Sequence, residues 1–306
     1  MYLNPHLADK RFVRGENQHT APRSANPGLL DFDFMRLKDL VKQVIPHGIA
    51  EYSIRRHDYM RLGIDAYQAS CIALSIRQHQ NLCDARLNLF PPTILSALRT
   101  CVDAGAHAGT WTQALLERFK PQHIIAVECE PRLVGPLKTK FRALPFVAVV
   151  DAALADSEGT ANFHQLRHPA GSSLLKPRPE VTRELAAKSW DVIGTVEVRK
   201  ISYDQLVADE DEISILKLDI QGAEMGVLQS SREGLRKTKS ILMEVTFTSH
   251  YENDAGFPEL HQLMASKGFG LYRLSPPYHR GARILYADAL YIREDILRDL
   301  HPDRET

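Results

Sequence analysis

From Thr100 onward, short apolar runs alternate with longer amphipathic stretches, and no other feature constrains the fold as strongly. Short apolar runs bounded by turn residues are typical of buried strands, whereas apolar residues that recur every three or four positions are typical of helices. Strands that alternate with helices form a largely parallel sheet, because each connection must cross over the sheet and covers one of its faces. The sequence therefore predicts an α/β domain over residues 96–296 with helices on both faces.

Seven strands are predicted, and four helices lie between them. The strands are Thr100–Asp103, His123–Glu128, Phe146–Leu154, Ile213–Ile220, Ser240–Phe247, Gly268–Leu274 and Ile284–Arg293. The helices are Thr110–Phe119, Pro131–Leu144, Ala223–Arg236 and Pro258–Ser266. Ligands of such sheets bind at the carboxyl ends of the strands, so polar residues that directly follow a strand are the candidate site residues.

Residues 1–95 lack this alternation and are expected to form an N-terminal helical extension whose first 30 or so residues are irregular. Between Phe34 and Val44 the apolar residues recur at helical spacing. The basic residues between Met35 and Leu62 suit a solvated helix face, a homodimer contact or a peripheral contact with an anionic membrane. Residues 297–306 are expected to be a tail.

An irregular segment at 168–195, rich in Pro, Gly, Ser and basic residues, interrupts the alternation. The strand-like stretches Thr160–Leu166 and Val196–Ile201 bracket it. Long irregular segments inside compact domains are commonly lids, so we expect a lid over an active site, with a plain surface insertion as the alternative. Ser172 and Ser173 in this segment are candidates to bind an acceptor hydroxyl, although they suit a turn equally well.

The charges of the chain are balanced, with 38 Lys and Arg against 38 Asp and Glu in 306 residues. Proteins that bind nucleic acid through its phosphates need an excess of basic residues, so no nucleic-acid partner is predicted. No apolar run approaches the roughly 20 residues of a transmembrane helix, and the start of the chain lacks the apolar core of a secretory signal. The four cysteines form no C-x-x-C pair, so the sequence predicts no metal site and a cytoplasmic protein.

The loop after the first predicted strand, CVDAGAHAGT at 101–110, carries the strongest chemical signal. Asp103 ends the strand, and Gly105 and Gly109 permit a tight turn that a ligand can approach closely. The G-x-G-x-x-G fingerprint of dinucleotide sites is absent, and a carboxylate here would repel a diphosphate. The pattern favours a ligand with an ammonium group and no phosphate, as in S-adenosylmethionine. Further positions expected to contact it are Ala106, His107 and Thr110.

Two more strand ends extend this prediction. Glu128 ends the second strand 25 residues beyond Asp103, where an acid commonly accepts hydrogen bonds from ribose hydroxyls, and Glu130 is the alternative. Asp151 and Ala152 lie in the last part of the third strand and are expected to face an adenine ring.

The candidate catalytic residues lie around the fourth strand end, LKLDIQGAE at 216–224. Lys217 and Asp219 share one side of the strand, and Glu224 begins the next helix. Since buried charges are costly unless they are paired, these residues are either a structural ion pair or part of a catalytic group in which Asp219 is a base or orients the acceptor. Glu244, on the next strand, is expected to bind substrate, and His250 is a candidate base because histidine titrates near neutral pH.

Six motifs, DAGAHAG, AVECEP, AALADSEG, GSSLL, LKLDIQGAE and ILMEV, resemble in that order the FkbM family of S-adenosylmethionine-dependent methyltransferases. The resemblance covers about residues 100–293. It implies a class I methyltransferase (Rossmann-like) fold, S-adenosylmethionine as the cofactor and O-methylation of a sugar, glycan or natural-product acceptor. It also implies that the loop glycines and Asp103 hold the methionine end, Glu128 the ribose and 151–152 the adenine.

Two alternatives remain at this level. The first is an atypical nicotinamide-dependent oxidoreductase, against which the missing glycine fingerprint argues. The second is a protein that binds S-adenosylmethionine without catalysis, against which the charged LKLDIQGAE segment argues.

Overall fold

A mainly parallel sheet organises the computed structural model, which describes residues 82–180 and 190–300. The strands are β1 (Thr100–Ala104), β2 (His123–Glu128), β3 (Val147–Asp151), β4 (Ala153–Ala155), β5 (Gly159–Leu166), β6 (Val192–Ser202), β7 (Ile213–Leu218), β8 (Ser240–Thr246), β9 (Phe269–Leu274), β10 (Tyr278–Arg280) and β11 (Arg283–Arg293). The helices are α1 (Pro92–Leu95), α2 (Thr110–Arg118), α3 (Pro131–Phe141), α4 (Tyr203–Leu206), α5 (Glu224–Ser230), α6 (Glu233–Lys237), α7 (Phe257–Ser266) and α8 (Glu294–Leu300).

The main sheet has the strand order β10-β11-β8-β7-β1-β2-β3, and β9 pairs with β11. Neighbours from β3 to β8 run parallel, whereas β11 is antiparallel to β8, β9 and β10. The chain builds outward from β1 to β3 and then returns to place β7 on the other side of β1. This reversal of strand order creates a crevice at the carboxyl ends of β1 and β7, which is where ligands of doubly wound sheets bind.

Apolar side chains cover both faces of the sheet, because successive residues of a strand point to opposite sides. In β1, Val102 and Ala104 pack with helices α5, α6 and α7, whereas Cys101 packs with α2, α3 and the segment around Leu87. The expected α/β architecture, a class I methyltransferase fold with helices on both faces of a mostly parallel sheet, is therefore confirmed. The sheet has eight strands rather than seven, since the short β10 was not predicted.

Two predicted elements are each divided in the structure. The strand predicted over Phe146–Leu154 separates into β3 and β4, because β4 leaves the main sheet and pairs with β6 in a second sheet of order β4-β6-β5. The helix predicted over Ala223–Arg236 separates into α5 and α6. The carboxylate of Asp204 causes this second break, since it accepts hydrogen bonds from the backbone N–H groups at 232–234 and starts a new helix there.

Several expectations fall outside the described residues. They are residues 1–81 of the expected N-terminal extension, the homodimer and membrane contacts attributed to it, residues 301–306 of the expected tail 297–306, and residues 181–189 of the expected lid. Within 82–180 and 190–300, no helix has the length and apolar character needed to cross a membrane.

Candidate active site

The β1–α2 loop brings the ends of three strands together. Gly105 has a φ of +73°, and the backbone N–H groups of Gly105 and Ala106 both donate to the carbonyl oxygen of Val127 at 3.0 Å. A Cβ atom on Gly105 would lie 2.0 Å from the backbone oxygen of Asp219. Glycine is therefore required because the end of β7 approaches this turn closely. Gly109 serves packing instead, since a Cβ there would lie 2.6 Å from the ring of Phe141.

Asp103 and Lys217 form an ion pair that connects β1 to β7. The Asp103 carboxylate is fully buried and accepts from the Lys217 ammonium at 2.9 Å and from the Thr112 hydroxyl at 2.7 Å. Burial lowers the pKa of Lys217, but the carboxylates of Asp103 and Asp219 outweigh this effect, so that its pKa is raised and the ammonium stays charged. The expected contact between Asp103 and a ligand ammonium does not fit this geometry, and Lys217 is likewise a structural partner.

Glu128 shapes the turn around the end of β2. One carboxylate oxygen accepts from the backbone N–H of His107 at 2.6 Å, and the other accepts from those of Cys129 and Glu130 at 2.9 and 2.8 Å. The first of these oxygens, Oε2, accepts only the one bond from His107 and keeps acceptor capacity for a ligand hydroxyl, whereas Oε1 already accepts two. Burial raises the pKa of Glu128, although these N–H groups oppose the shift. Glu130, the alternative, is 1% exposed and is bound to Arg132 at 2.7 Å.

A cavity of about 640 Å³, including the part open to solvent, lies at this carboxyl edge. Six predicted site residues line it: Gly105, His107, Glu128, Ala152, Ser172 and Asp219. Eleven lining residues were not predicted: Val127, Cys129, Ala153, Leu154, Phe163, Pro169, Ala170, Leu174, Ile220, Gln221 and Ala223. Most of these are apolar and come from the second sheet and the lid, so no polar motif marks them in the sequence.

The cavity is lined by both carboxylates and apolar side chains. Glu128 and Asp219 supply carboxylates, whereas Leu154, Phe163 and Leu174 supply apolar surface, and no Lys or Arg of the described segments lines it. A diphosphate would meet two negative charges and no cation here, which excludes a dinucleotide on electrostatic grounds. The donor and acceptor set fits a flat aromatic ring, a sugar with free hydroxyls and a cationic group. These are the parts of S-adenosylmethionine.

The described part of the expected lid covers this cavity. A 3₁₀ turn at Pro169–Gly171 is fixed by the Tyr251 hydroxyl, which lies 2.8 Å from the Gly171 carbonyl oxygen, and the Ser173 hydroxyl donates to the Gln221 carbonyl at 2.7 Å. Ser172 lines the cavity, with its hydroxyl accepting from the backbone N–H of Leu166. Ser173 does not line it, so its expected contact with an acceptor is not supported by its position.

Asp219 is the second carboxylate that lines the cavity. It accepts from the side-chain amide of Gln221 at 2.8 Å and from the guanidinium of Arg86 at 3.1 Å, and the Lys217 ammonium lies 3.9 Å away. Burial raises its pKa, but the two cations outweigh burial and lower it. Asp219 is therefore held ionised. Sequence reasoning missed Arg86, because nothing local distinguishes it from other charged residues of the N-terminal region.

Glu224 and His250, both predicted to be catalytic, do not line the cavity. Glu224 is 5% exposed and accepts from the backbone N–H of Ile220 at 3.0 Å, and burial raises its pKa to about 7. His250 is 4% exposed, packs edge-on against Trp190 with ring centroids 5.7 Å apart, and has a pKa lowered by burial. Its Nε2 has no hydrogen-bond partner among the described residues.

The remaining predicted residues take different places. The Asp151 side chain is exposed, bonds to Lys138 at 3.1 Å and does not line the cavity, whereas the adjacent Ala152 does line it. Ala106 and Thr110 do not line it. Glu244 lies beyond Asp219 on β8, is partly exposed and does not line the cavity. No group of His, Cys, Asp and Glu within the described ranges is arranged to hold a metal ion.

A second cavity, at the opposite edge of the sheet, is rich in basic residues. Lys267 donates to the carbonyl oxygen of Ser231 at 3.0 Å, and Arg293 donates to that of Arg236 at 3.3 Å. These cations are already engaged in tying chain segments together, and we assign no site there.

Comparisons with known proteins agree with the geometry. Residues 103–271 match the family model of the methyltransferase FkbM domain. The chain is 22% identical over 172 residues to 2-O-methyltransferase NoeI of Sinorhizobium fredii, covering 54% of this chain and 70% of that protein. It is 25% identical over 196 residues to methyltransferase sdnD of Sordaria araneosa, covering 56% and 74%.

Among solved structures, the chain is similar to methyltransferase FkbM from Methylobacillus flagellatus, with 14% identity and a TM-score of 0.42. That match covers 64% of this chain and 43% of the other, so this chain spans less than half of its length. It is also similar to Aeropyrum pernix fibrillarin in complex with S-adenosyl-L-methionine, with 14% identity, a TM-score of 0.35 and coverage of 64% and 66%.

Proposed function

Because the family match covers more than half of its length, the chain belongs to the methyltransferase FkbM domain family, and we propose that it methylates a hydroxyl group of a sugar, glycan or natural product. S-adenosylmethionine is the methyl donor. When bound, it supplies a methyl group on a positively charged sulfur. The cavity that is lined by the carboxylates of Glu128 and Asp219 and by apolar side chains is the observation that carries the proposal.

Three parts of the cavity account for the recognition of the donor. Glu128 would accept from the ribose hydroxyls, and its three backbone N–H partners keep its oxygens oriented for this. The apolar walls at Leu154, Phe163 and Leu174 would pack against the adenine ring. We assign the ligand ammonium to Asp219 in place of Asp103, because Asp219 is ionised and lines the cavity.

The enzyme's main contribution to methyl transfer is to position the acceptor. No acid is needed for the departing sulfur, since it leaves as a neutral thioether. Holding two reactants in the correct orientation can supply several kcal/mol of the barrier reduction, roughly 7–11 in favourable cases. The acceptor would enter beside Asp219, on the side where β7 and β8 end.

A hydroxylated, uncharged acceptor suits this end of the sheet. Carboxylates accept hydrogen bonds from hydroxyls but repel phosphates. The name of NoeI, a 2-O-methyltransferase, is in keeping with this chemistry. The balanced charge of the chain favours a small molecule or glycan over a nucleic acid as the partner. We place the enzyme in the cytoplasm, in keeping with the thiols of Cys83 and Cys101, which are free cysteines.

Titration calorimetry with S-adenosylhomocysteine and with NAD tests the donor assignment. We expect S-adenosylhomocysteine to bind and NAD to show no heat of binding, because NAD carries a diphosphate. Binding of NAD without binding of S-adenosylhomocysteine would contradict the assignment.

Incubation with methyl-labelled S-adenosylmethionine and fractionated cellular glycans and natural products tests the acceptor class. Mass analysis of the labelled products should find the methyl group on oxygen. Label that appears only on nitrogen or carbon would overturn the proposed acceptor chemistry.

A further inference from the structure

Three carboxylates stand side by side at the carboxyl edge of the sheet, on three neighbouring strands. Glu244 of β8 is directly opposite Asp288 of β11 in the antiparallel register. Leu218 of β7 pairs with Met243, so Asp219 follows β7 at the level of Glu244. We call Asp219, Glu244 and Asp288 the carboxylate row. Like charges directly opposite one another destabilise a sheet, so a row of three is costly unless cations compensate it.

Arg86 compensates the two ends of the row and leaves its centre unbonded. Its guanidinium donates to Asp288 at 2.9 Å through Nε and to Asp219 at 3.1 Å through a terminal nitrogen. The Arg86 side chain is only 12% exposed. In the described segments, the Glu244 carboxylate, between these two partners, has no hydrogen bond or ion pair, yet Glu244 is partly exposed. The Glu244 carboxylate thus has free acceptor capacity and lies beside Asp219, which lines the cofactor cavity.

The charge of Glu244 is set by its neighbours from every side. Burial raises its pKa well above the ordinary value, Asp219, Asp288 and Glu224 add to this, and Arg86 opposes it. The titratable groups that face it are Asp219 from the loop after β7, Glu224 from α5, Asp288 and Tyr286 from β11, Tyr251 from the loop after β8, and Arg86. A carboxylate with a raised pKa is a stronger base than an ordinary one once it is ionised.

We propose that Glu244 is the catalytic base, and that Arg86 is a positioning residue that holds Asp219 and Asp288 on either side of it. This rests on the proposed function. In the step, the acceptor oxygen bonds to the methyl carbon while the carbon–sulfur bond breaks and leaves its electron pair on sulfur. The acceptor proton passes to the Glu244 carboxylate and then to water. Asp219 remains ionised and does not take the proton, because two cations lower its pKa.

This arrangement predicts shifts of opposite sign from two substitutions. Arg86→Gln removes a cation beside Glu244 and should raise the pH at which it ionises by about 1 unit or more. Asp288→Asn removes a carboxylate beside Glu244 and should lower that pH. If the two substitutions only disturbed the packing, they would not shift the ionisation midpoint of Glu244 in opposite directions. Carbon NMR of protein labelled at the glutamate carboxyl carbons measures these midpoints, with the Glu244→Gln spectrum identifying the resonance.

A pH–rate profile provides the functional readout. A panel of methyl hexosides is offered with S-adenosylmethionine, and kcat/KM is measured between pH 5.5 and 9 on those that are methylated. We expect activity to rise with pH as Glu244 ionises, with the rise displaced upward in Arg86→Gln and downward in Asp288→Asn. Arg86→Lys keeps the positive charge but loses the simultaneous hydrogen bonds to Asp219 and Asp288. Its activity should therefore rise at the same pH as that of the wild type, with a kcat that is lower by about 10-fold.

Arg118→Gln is the matched control, because Arg118 is a half-exposed arginine that bonds to Asp84 at 3.1 Å near the same segment but contacts no member of the row. Its profile should equal that of the wild type. If Arg86→Gln does not fold, the midpoint shift in Asp288→Asn and the pH profile of Arg86→Lys test the proposal in its place.

Shifts of the same sign, or a Glu244 midpoint that is unchanged in Arg86→Gln, would overturn the inference. So would an Arg86→Gln enzyme with the wild-type pH profile. If the wild type binds S-adenosylhomocysteine but methylates none of the hexosides, simple hexosides are excluded as acceptors, and the pH–rate profiles are measured on the acceptor that the labelling experiment identifies. The NMR midpoints test independently whether Arg86 sets the charge of Glu244.

Discussion

Lys217 donates to Asp103 from the neighbouring strand, and both side chains are almost completely shielded from water. Removing one partner of such a pair leaves a buried, uncompensated charge, whereas replacing both can be nearly neutral. At the scale of single residues, the carboxylates of this site therefore divide into two kinds. Asp103 is buried against Lys217 and Thr112, whereas Glu128 and Asp219 line the cavity.

Asp103→Asn should lower the free energy of unfolding by about 3–5 kcal/mol, because Lys217 is left without its buried counter-charge. In the double variant Asp103→Asn with Lys217→Met, part of this loss should be recovered. Urea unfolding of the two single variants and the double variant measures the coupling. If Asp103→Asn is as stable as the wild type but no longer binds S-adenosylhomocysteine, Asp103 contacts the ligand directly, as the motif alone predicts.

Glu128→Gln should weaken the binding of S-adenosylhomocysteine about 10- to 100-fold, since hydrogen bonds to a charged acceptor contribute about 1.5–3 kcal/mol. Asp151→Asn is the matched control, because Asp151 is the cross-strand partner of Glu128 in β3 yet lies outside the cavity. Its affinity should equal that of the wild type. Titration calorimetry measures both affinities for S-adenosylhomocysteine. An equal loss of affinity in Glu128→Gln and Asp151→Asn would contradict the assignment of the ribose to Glu128 alone.

At the scale of elements, short segments between strands build most of the cavity wall. The 3₁₀ turn at Pro169–Gly171 and the strand β5 place Ala170 and Phe163 over the carboxyl ends of β1 and β2. Tyr251 fixes this covering from the loop after β8, because its hydroxyl lies 2.8 Å from both the Gly171 carbonyl and the Gln221 side-chain oxygen. The lid is therefore coupled to the loop that carries Asp219.

Tyr251→Phe removes this connection while keeping the ring. We expect faster amide hydrogen exchange in residues 169–175, because the lid loses its anchor, and a faster release of S-adenosylhomocysteine. Hydrogen-exchange mass spectrometry and stopped-flow measurements follow the two effects. Tyr278→Phe changes a tyrosine that is 54% exposed and should alter neither rate. Unchanged exchange in Tyr251→Phe would show that packing alone holds the lid.

At the scale of the whole molecule, the parallel sheet concentrates negative charge at one edge. Asp103, Asp219 and Glu224 all lie near the carboxyl ends of β1 and β7, and the burial of Glu224 couples the stability of the fold to pH. Glu224 has a folded-state pKa of about 7, above the ordinary value near 4.5. Its stabilising contribution is thus complete below about pH 4.5 and is lost as the pH rises through 7.

Glu224→Gln removes this titration, so its stability relative to the wild type should increase between pH 5 and pH 7.5, by an amount on the order of 3 kcal/mol at most. Urea unfolding at pH 5, 6, 7 and 7.5 measures the trend. Glu233→Gln provides the comparison, because Glu233 is 60% exposed and forms its ion pair with Arg236 on the protein surface. A difference between Glu224→Gln and the wild type that stays constant across this range would mean that Glu224 does not titrate there.

The order of elements could be predicted from the sequence because periodicity is a local property of the chain. β2 was predicted with its observed bounds, and the polar residues that close β1, β2 and β7 indicated which edge of the sheet binds the ligand. Errors arose where a distant residue intervened, as when Asp204 divided the predicted helix after β7. Aliphatic residues such as Leu174 gave no sign that they would line a cavity rather than a core.

Only the tertiary structure decided which charges are paired. Arg86 and Asp219 are 133 positions apart, and Lys217 and Asp103 are 114 apart, so no local pattern relates them. The sequence by itself determined that carboxylates would gather at the carboxyl ends of the strands, because strand direction follows from the alternation of elements. Which of these carboxylates remains open to a ligand depends on strand register and on where distant cations come to lie, and both are properties of the packed chain.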